Sequence, residues 1–131
     1  MPEVFVYAIE GRSIEQKRSL VKKITDAVVE DYKVTPDTVS VILIAKDQGR
    51  FLAQALDSIR RQRLQPLEVL IVLGESSDDT DAVARSYSEF SCLRQSGRGI
   101  ADAWNRGIVE ARGELLAFLS ADDFWTEDKL Q

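Results

Sequence analysis

Two adjacent acid pairs, Asp78-Asp79 and Asp122-Asp123, and the lone Glu75 stand in polar stretches that directly follow apolar runs. Carboxylates so placed suit a diphosphate substrate. They hold a divalent ion that bridges two phosphates, and a further carboxylate accepts hydrogen bonds from a base or a ribose. The chain contains no histidine. That excludes Ser-His and Cys-His nucleophile pairs and every histidine zinc site. Any metal must be a hard cation, Mg²⁺ or Mn²⁺, held by carboxylates. A second chemistry begins at the other end. Removal of Met1 would expose Pro2 as a secondary amine. Desolvation and a nearby cation bring such an amine toward neutrality, where it can shuttle protons on an α-keto acid. Arg12 is the candidate cation and carboxylate clamp. If Met1 is retained, the Pro2 nitrogen is an amide and this chemistry ends.

The elements that must position these residues are organised around Val39-Ser40-Val41-Ile42-Leu43-Ile44-Ala45. This stretch is almost wholly apolar and mostly β-branched, the pattern of a strand buried on both faces of a parallel sheet. Upstream, Val4–Ile9 reads as a first strand and Glu10-Gly11-Arg12 as a turn. A helix follows, with Ser13 and Gln16 as its capping box and Ile14, Leu20, Val21, Ile24 and Val28 as its apolar stripe. Val34-Thr35-Pro36-Asp37 ends it.

Downstream of Ala45 comes a loop to Arg50. A second helix then carries Phe51, Leu52, Ala55, Leu56 and Ile59 and ends in Arg60-Arg61-Gln62-Arg63. Leu67–Leu73 is a strand, Gly74–Thr80 a polar loop capping a short helix through Tyr87, and Ser91–Arg94 a weak strand. A helix with Ile100, Ala103, Trp104, Ile108 and Ala111 leads through Gly113 to a strand at Glu114–Leu119. A turn capped by Thr126 ends the pattern.

Strands and helices alternating with short connections predict an α/β domain over 1–131, a mostly parallel sheet with helices on both faces. Val39–Ala45 is expected to have one neighbouring strand from each half. Ligands in such sheets bind beyond the carboxyl ends of the strands. The candidate loops are therefore 10–13, 45–50, 74–79 and 120–123.

The formal charge of −5, with Lys and Arg interspersed among acids, argues against a nucleic-acid partner. No run approaches the roughly 18 apolar residues of a membrane helix, and no charged start leads into an apolar signal segment. Cys92 is the only cysteine, so no internal disulfide forms and a reducing cytoplasm is expected.

Residues 39–131 resemble the first half of a family 2 glycosyltransferase, with its Rossmann-like type A fold. The matching stretches are Val39-Ser40-Val41-Ile42-Leu43, Gly49-Arg50-Phe51-Leu52, Gln65-Pro66-Leu67-Glu68-Val69, Ser76-Ser77-Asp78-Asp79-Thr80, Asn105-Arg106-Gly107-Ile108, Ala111-Arg112-Gly113-Glu114 and Ala121-Asp122-Asp123-Phe124-Trp125. The resemblance implies a UDP-type nucleotide-sugar partner. It places Ala45, Asp47, Glu75, Ser76, Asp79 and Asn105 near the nucleotide, and Asp122 on a weakly held Mg²⁺ or Mn²⁺. The chain departs from the family at the chemistry. Leu73-Gly74-Glu75 stands where a paired Asp-Asp-Gly is usual, and Ser120-Ala121-Asp122 where the metal motif has two acids. Trp104 replaces a frequent arginine. The sequence ends where that family's acceptor half begins, so the expectation is a truncated protein, weak or inactive in transfer.

Residues 1–44 resemble the oxalocrotonate-type tautomerases, small β-α-β subunits that form oligomers. Pro2, Glu10-Gly11-Arg12-Ser13, Glu15-Gln16-Lys17, Leu20 and Val39-Ser40-Val41-Ile42 carry the likeness. It implies keto–enol tautomerisation with Pro2 as base and Arg12 as partner, and a homo-oligomer. Ser40 stands where that family has a second arginine.

Plainer roles compete for the same residues. Asp78 and Asp79 also suit a helix first turn, favoured by the dipole, and Asp122-Asp123 a solvated turn. Trp104 fits a helix core position, and Arg60–Arg63 a solvated helix end. A third reading is a fold-level hybrid without activity, whether natural recombinant, truncated product or constructed chimera. The leading expectation is nucleotide-sugar binding, with the tautomerase as the alternative.

Overall fold

The structure is a computed structural model describing residues 13–32 and 38–130, excepting the side chains of 25 and 28–32. The strand expected at Val4–Ile9, the turn at Glu10–Arg12 and the break at Val34–Asp37 lie outside the described residues. The chain divides into two compact units, Met1–Thr35 and Pro36–Gln131. The expectation of one domain over 1–131 rests on the strand at Val4–Ile9, outside the described residues.

In the first unit, α1 spans Ile14–Tyr32. Its capping box is formed: Ser13 N–H donates to Gln16 Oε1 at 3.0 Å and Gln16 N–H to Ser13 Oγ at 3.1 Å. Lys22 pairs with Asp26 one turn on, at 2.9 Å. Ile14, Leu20 and Val21 of the expected apolar stripe are exposed.

The second unit runs β1 (Val39–Ala45), α2 (Gly49–Arg60), β2 (Glu68–Leu73), α3 (Thr80–Ser86), β3 (Ser91–Arg94), α4 (Ile100–Glu110), β4 (Leu115–Ser120). The sheet is parallel in the order β3-β2-β1-β4. β1 is the buried strand its sequence predicts: Val41, Ile42 and Leu43 are 0% exposed. Its neighbours differ from expectation. Both edges of β1 are taken by strands of the second unit, Val41 opposite Val69 on one side and Ala117 on the other. A strand has two hydrogen-bonding edges, and the crossovers through α2 and α4 fill both.

Each face of the sheet carries its own helices. Leu52, Ala55, Leu56 and Ile59 of α2 pack on Val41, Leu43, Ile71 and Leu73, with Ala84 of α3 and Tyr87 closing the cluster. On the other face Ala103 of α4 meets Ile42 and Val72, with Trp104 and Ala111 beside them. Ile100 and Ile108, expected on the core stripe of α4, are exposed instead. The reason is proximity. A Cβ on Gly107 would lie 2.4 Å from Ile42 Cγ2, so α4 sits too close to the sheet for large side chains on its contact line.

A polar cluster locks the amino ends of the strands. Ser40, fully buried, donates to Glu68 Oε1 at 2.6 Å and accepts from Gly113 N–H at 2.8 Å. Arg112 adds its backbone N–H at 2.7 Å and its Nε at 3.0 Å to the same carboxylate. Burial pushes the Glu68 carboxyl up, but these hydrogen bonds outweigh it and hold it below the usual range. Ser40 at the position of the tautomerases' second arginine is thus a structural residue of β1.

Gly107→Ala tests the close packing of α4. Glycine to alanine inside a helix ordinarily stabilises by about 1 kcal/mol. Here overpacking against Ile42 should reverse the sign and cost about 1–3 kcal/mol, read as a lowered midpoint in urea denaturation.

Candidate functional site

Strand order reverses at β1: β2 and β3 lie to one side of it and β4 to the other. The chain leaves β1 toward the α2 face, while α4, on the opposite face, feeds β4. A crevice lies at this switch point, between the carboxyl ends of β1 and β4 and the loop before α4. It is a cleft of about 590 Å³, within the usual size range of small-ligand sites. Ile44, Ala45 and Lys46 from the end of β1, Ser120, Ala121 and Asp122 from β4, Val72 and Glu75 from β2, and the loop Gly97-Arg98-Gly99 form its wall.

Of the residues singled out in the sequence, the cleft gathers Ala45, Glu75 and Asp122. Asp47, Ser76, Asp79 and Asn105 do not line it. Asp47, at a left-handed φ of 51°, accepts from Ser77 N–H at 2.8 Å, while its own N–H donates to Ser76 Oγ at 3.0 Å. Ser76 Oγ also donates to the Gly74 carbonyl at 3.2 Å. These two side chains tie the β1–α2 loop to the β2–α3 loop. Asp79 precedes α3 and leans on Gly49, where an added Cβ would meet its Oδ1 at 1.8 Å. Asn105 is exposed on α4. Pro2 and Arg12 lie outside the described residues.

Asp78 and Thr80 serve a helix other than their own. α2 has no side-chain cap from its own sequence. Thr80 Oγ1 accepts Gln48 N–H at 2.9 Å and Asp78 Oδ2 accepts Gly49 N–H at 2.9 Å. Asp78 also accepts from the Thr80 hydroxyl and, at 3.0 Å, from Thr80 N–H. The Thr80 hydroxyl above all, then the backbone N–H groups, hold the Asp78 carboxyl below the usual aspartate range.

From sequence, Lys46 falls within the candidate loop 45–50 without a role of its own, Gly97-Arg98-Gly99 is too short and too common a pattern to count as a phosphate loop, and Gln95 carries no signal. The glycines at 97 and 99 were the available signal. Gly99 has φ +85°, a conformation that favours glycine, and its carbonyl accepts from Gln95 Nε2 at 2.8 Å. Gly97 N–H donates to Asp102 Oδ2 at 2.8 Å. The other polar candidates are structural. Arg60 pairs with Glu89 and lies over the Tyr87 ring at 4.5 Å. Gln62 holds the Thr126 carbonyl at 2.6 Å and Leu130 N–H at 3.1 Å. Trp104 stands edge-on to Phe118 at 5.1 Å, and Trp125 packs on the core.

The donor set for a metal is thin. Asp122 and Glu75 are the only carboxylates on the cleft wall, and Asp123 lines a neighbouring hollow with Phe124 and Trp125. Among the described residues no group of three Asp, Glu, Cys or His could hold an ion. These side chains alone would hold a divalent cation only weakly, with Asp122 as the candidate ligand. Among the described residues, too, no helix is long and apolar enough to cross a membrane.

The model of glycosyl transferase family 2 matches residues 40–131, and that of the tautomerase enzyme family residues 2–50, in accord with both resemblances. An uncharacterized glycosyltransferase of a Nostoc species is 34% identical over 98 residues, 71% of this chain and 30% of that protein. One from Rickettsia prowazekii is 30% identical over 94 residues, again 71% and 30% of the two chains. The chain therefore spans about 30% of the length of these curated relatives. Among solved structures, S. aureus TarS 1–349 in complex with UDP superposes with a TM-score of 0.66 at 22% identity, covering 71% of this chain and 30% of that one. Glucosyl-3-phosphoglycerate synthase of Mycobacterium tuberculosis, in complex with Mn²⁺, UDP and glucosyl-3-phosphoglycerate, gives 0.59 at 20% identity, with 66% and 35% covered. The sheet of the second unit is that of the type A glycosyltransferases.

Thr80→Val keeps the shape of this buried side chain and removes the oxygen that caps α2. It should cost about 1–3 kcal/mol, since Gln48 N–H loses its acceptor. The gap from wild type should narrow as the pH falls below the usual aspartate range, where the unfolded chain takes up a proton first and the folded Asp78, held lower, only afterwards, its hydrogen bonds then weakening in wild type too. Urea melts of both proteins across pH 3–7 read both effects.

Proposed function

The chain belongs to glycosyl transferase family 2, and from that premise we propose that the cleft at the ends of β1 and β4 binds a UDP-type nucleotide-sugar. The observation that carries the reading is the position of the cleft. It lies at the topological switch point, where sheets of this kind take their ligands, and Glu75 and Asp122 are among its lining residues. Glu75 accepts hydrogen bonds from the base or ribose, and Asp122 faces the diphosphate end. The UDP in the titles of TarS and glucosyl-3-phosphoglycerate synthase structures supports this partner. Asp47, Ser76 and Asp79 act on the nucleotide indirectly, by fixing the two loops, and Asn105 stands exposed on α4. With one acid where two are usual in the metal motif, any Mg²⁺ or Mn²⁺ is held weakly. Transfer by these 131 residues alone is weak or absent.

A second reading rests on the tautomerase match over residues 2–50. Pro2 as a free amino terminus, with Arg12, would tautomerise an α-keto acid, in subunits that associate. Mass spectrometry of the intact protein decides its premise: a retained Met1 ends it.

Calorimetry with UDP and Mn²⁺ tests the first reading. One-site binding is expected, weakened about tenfold in Glu75→Gln by loss of a charged hydrogen bond worth about 1.4 kcal/mol. No heat from protein whose circular dichroism shows it folded would refute the proposal.

A further inference from the structure

The charged side chains on the cleft wall are two cations, Lys46 and Arg98, and two carboxylates, Glu75 and Asp122. Neither cation has an ion-pair partner among the described residues, although both acids share their cleft. Both are exposed side chains carried on backbone that its neighbours define. Lys46 runs across the end of β2, so close that a Cβ on Gly74 would meet its Cβ at 3.1 Å and its Cδ at 3.3 Å. Arg98 sits between two pinned residues, Gly97 bound through its N–H to Asp102 and Gly99 through its carbonyl to Gln95. Directly after it begins α4, eleven residues long and without a side-chain cap. Gly99 and Ile100 at that end line the cleft. An uncapped helix amino terminus favours an anion.

Ser120 decides the sign of the balance. An acid there would give the wall three carboxylates against two cations, and an incoming diphosphate would need a metal to neutralise the excess. With serine the wall is neutral, and two unpaired cations remain to meet the phosphates. Building on the proposed nucleotide-sugar site, we propose that the Lys46 ammonium and the Arg98 guanidinium hold the diphosphate directly, so that binding requires no divalent ion. The guanidinium fork matches two phosphate oxygens at once, and the ammonium acts as a point charge.

Calorimetry with UDP, and separately with inorganic pyrophosphate, in EDTA and in Mn²⁺, tests this. UDP affinity should differ by less than about twofold between the two conditions and fall as salt screens the exposed cations. Arg98→Gln and Lys46→Met should each weaken both ligands about tenfold, with Arg98→Lys intermediate and circular dichroism unchanged. UDP binding that vanishes in EDTA, or variants that bind like wild type, would overturn the proposal. Pyrophosphate binding in EDTA without UDP binding would keep the two cations as an anion site and remove the nucleotide reading. Binding of neither by folded protein removes both.

Discussion

β1 has no surface left to give. Its edges are hydrogen-bonded to β2 and β4, and its faces are covered by α2 and α4. Register is what this arrangement needs most, because a slip of one residue in a strand exchanges its two faces. The amino ends supply it. Ser40 on β1, Glu68 on β2, and Arg112 and Gly113 just before β4 share one hydrogen-bonded cluster. A Cβ on Gly113 would come within 2.4 Å of the Thr38 carbonyl, so the lead-in to β4 touches the β1 backbone itself. With three strands fixed at that end, their carboxyl ends project by set amounts. The cleft lies over those ends, closed on one side by the loop before α4.

The carboxyl ends are joined by a different logic. Helices α2 and α4 both lack a side-chain cap of their own. At α2 the missing acceptors come from Asp78 and Thr80, on the neighbouring loop. Asp47 and Ser76 cross the same gap in the other direction. The polar residues of these two loops are thus largely spent on each other. At α4 no such loan is made among the described residues, and its first turn opens on the cleft. The difference separates a loop crossing that holds structure from one that can hold an anion.

This difference marks where the sequence is legible. Apolar runs and helical periods are local, so β1, α2, β2 and β4 are read from their own residues, and even the weak run Ser91–Arg94 is a paired strand. The capping box at Ser13 and Gln16 is local too, spanning one helical turn. Asp78 bonding to Gly49, or Asp47 to Ser77, joins residues about thirty positions apart. Their acids look the same in sequence whether they serve a ligand or a neighbouring loop. The cleft residues Lys46 and Arg98 sit among ordinary loop residues, and only the glycines beside Arg98 hint that the backbone there is shaped. Ile100 and Ile108 carry the helical period yet face outward, because Gly107 sets the distance between α4 and the sheet.

The two family matches overlap over residues 40–50, and the physics of the second unit accounts for most of that overlap. Val41, Leu43 and Ala45 are required by α2, and Ile42 by α4. Ser40 is required by Glu68 and Gly113, and the N–H groups of Gln48 and Gly49 by Thr80 and Asp78. A strand that must be apolar on both faces and β-branched for its pleat satisfies any β-α-β pattern that ends on a buried strand. The overlap therefore needs no compromise between the two patterns. The arginine that one pattern would place at position 40 could not be accommodated in this sheet, since a long cation there would have to occupy the fully buried site where the Ser40 hydroxyl joins three strands. Serine at that position is the residue type that this sheet accommodates, its hydroxyl meeting Glu68 and Gly113.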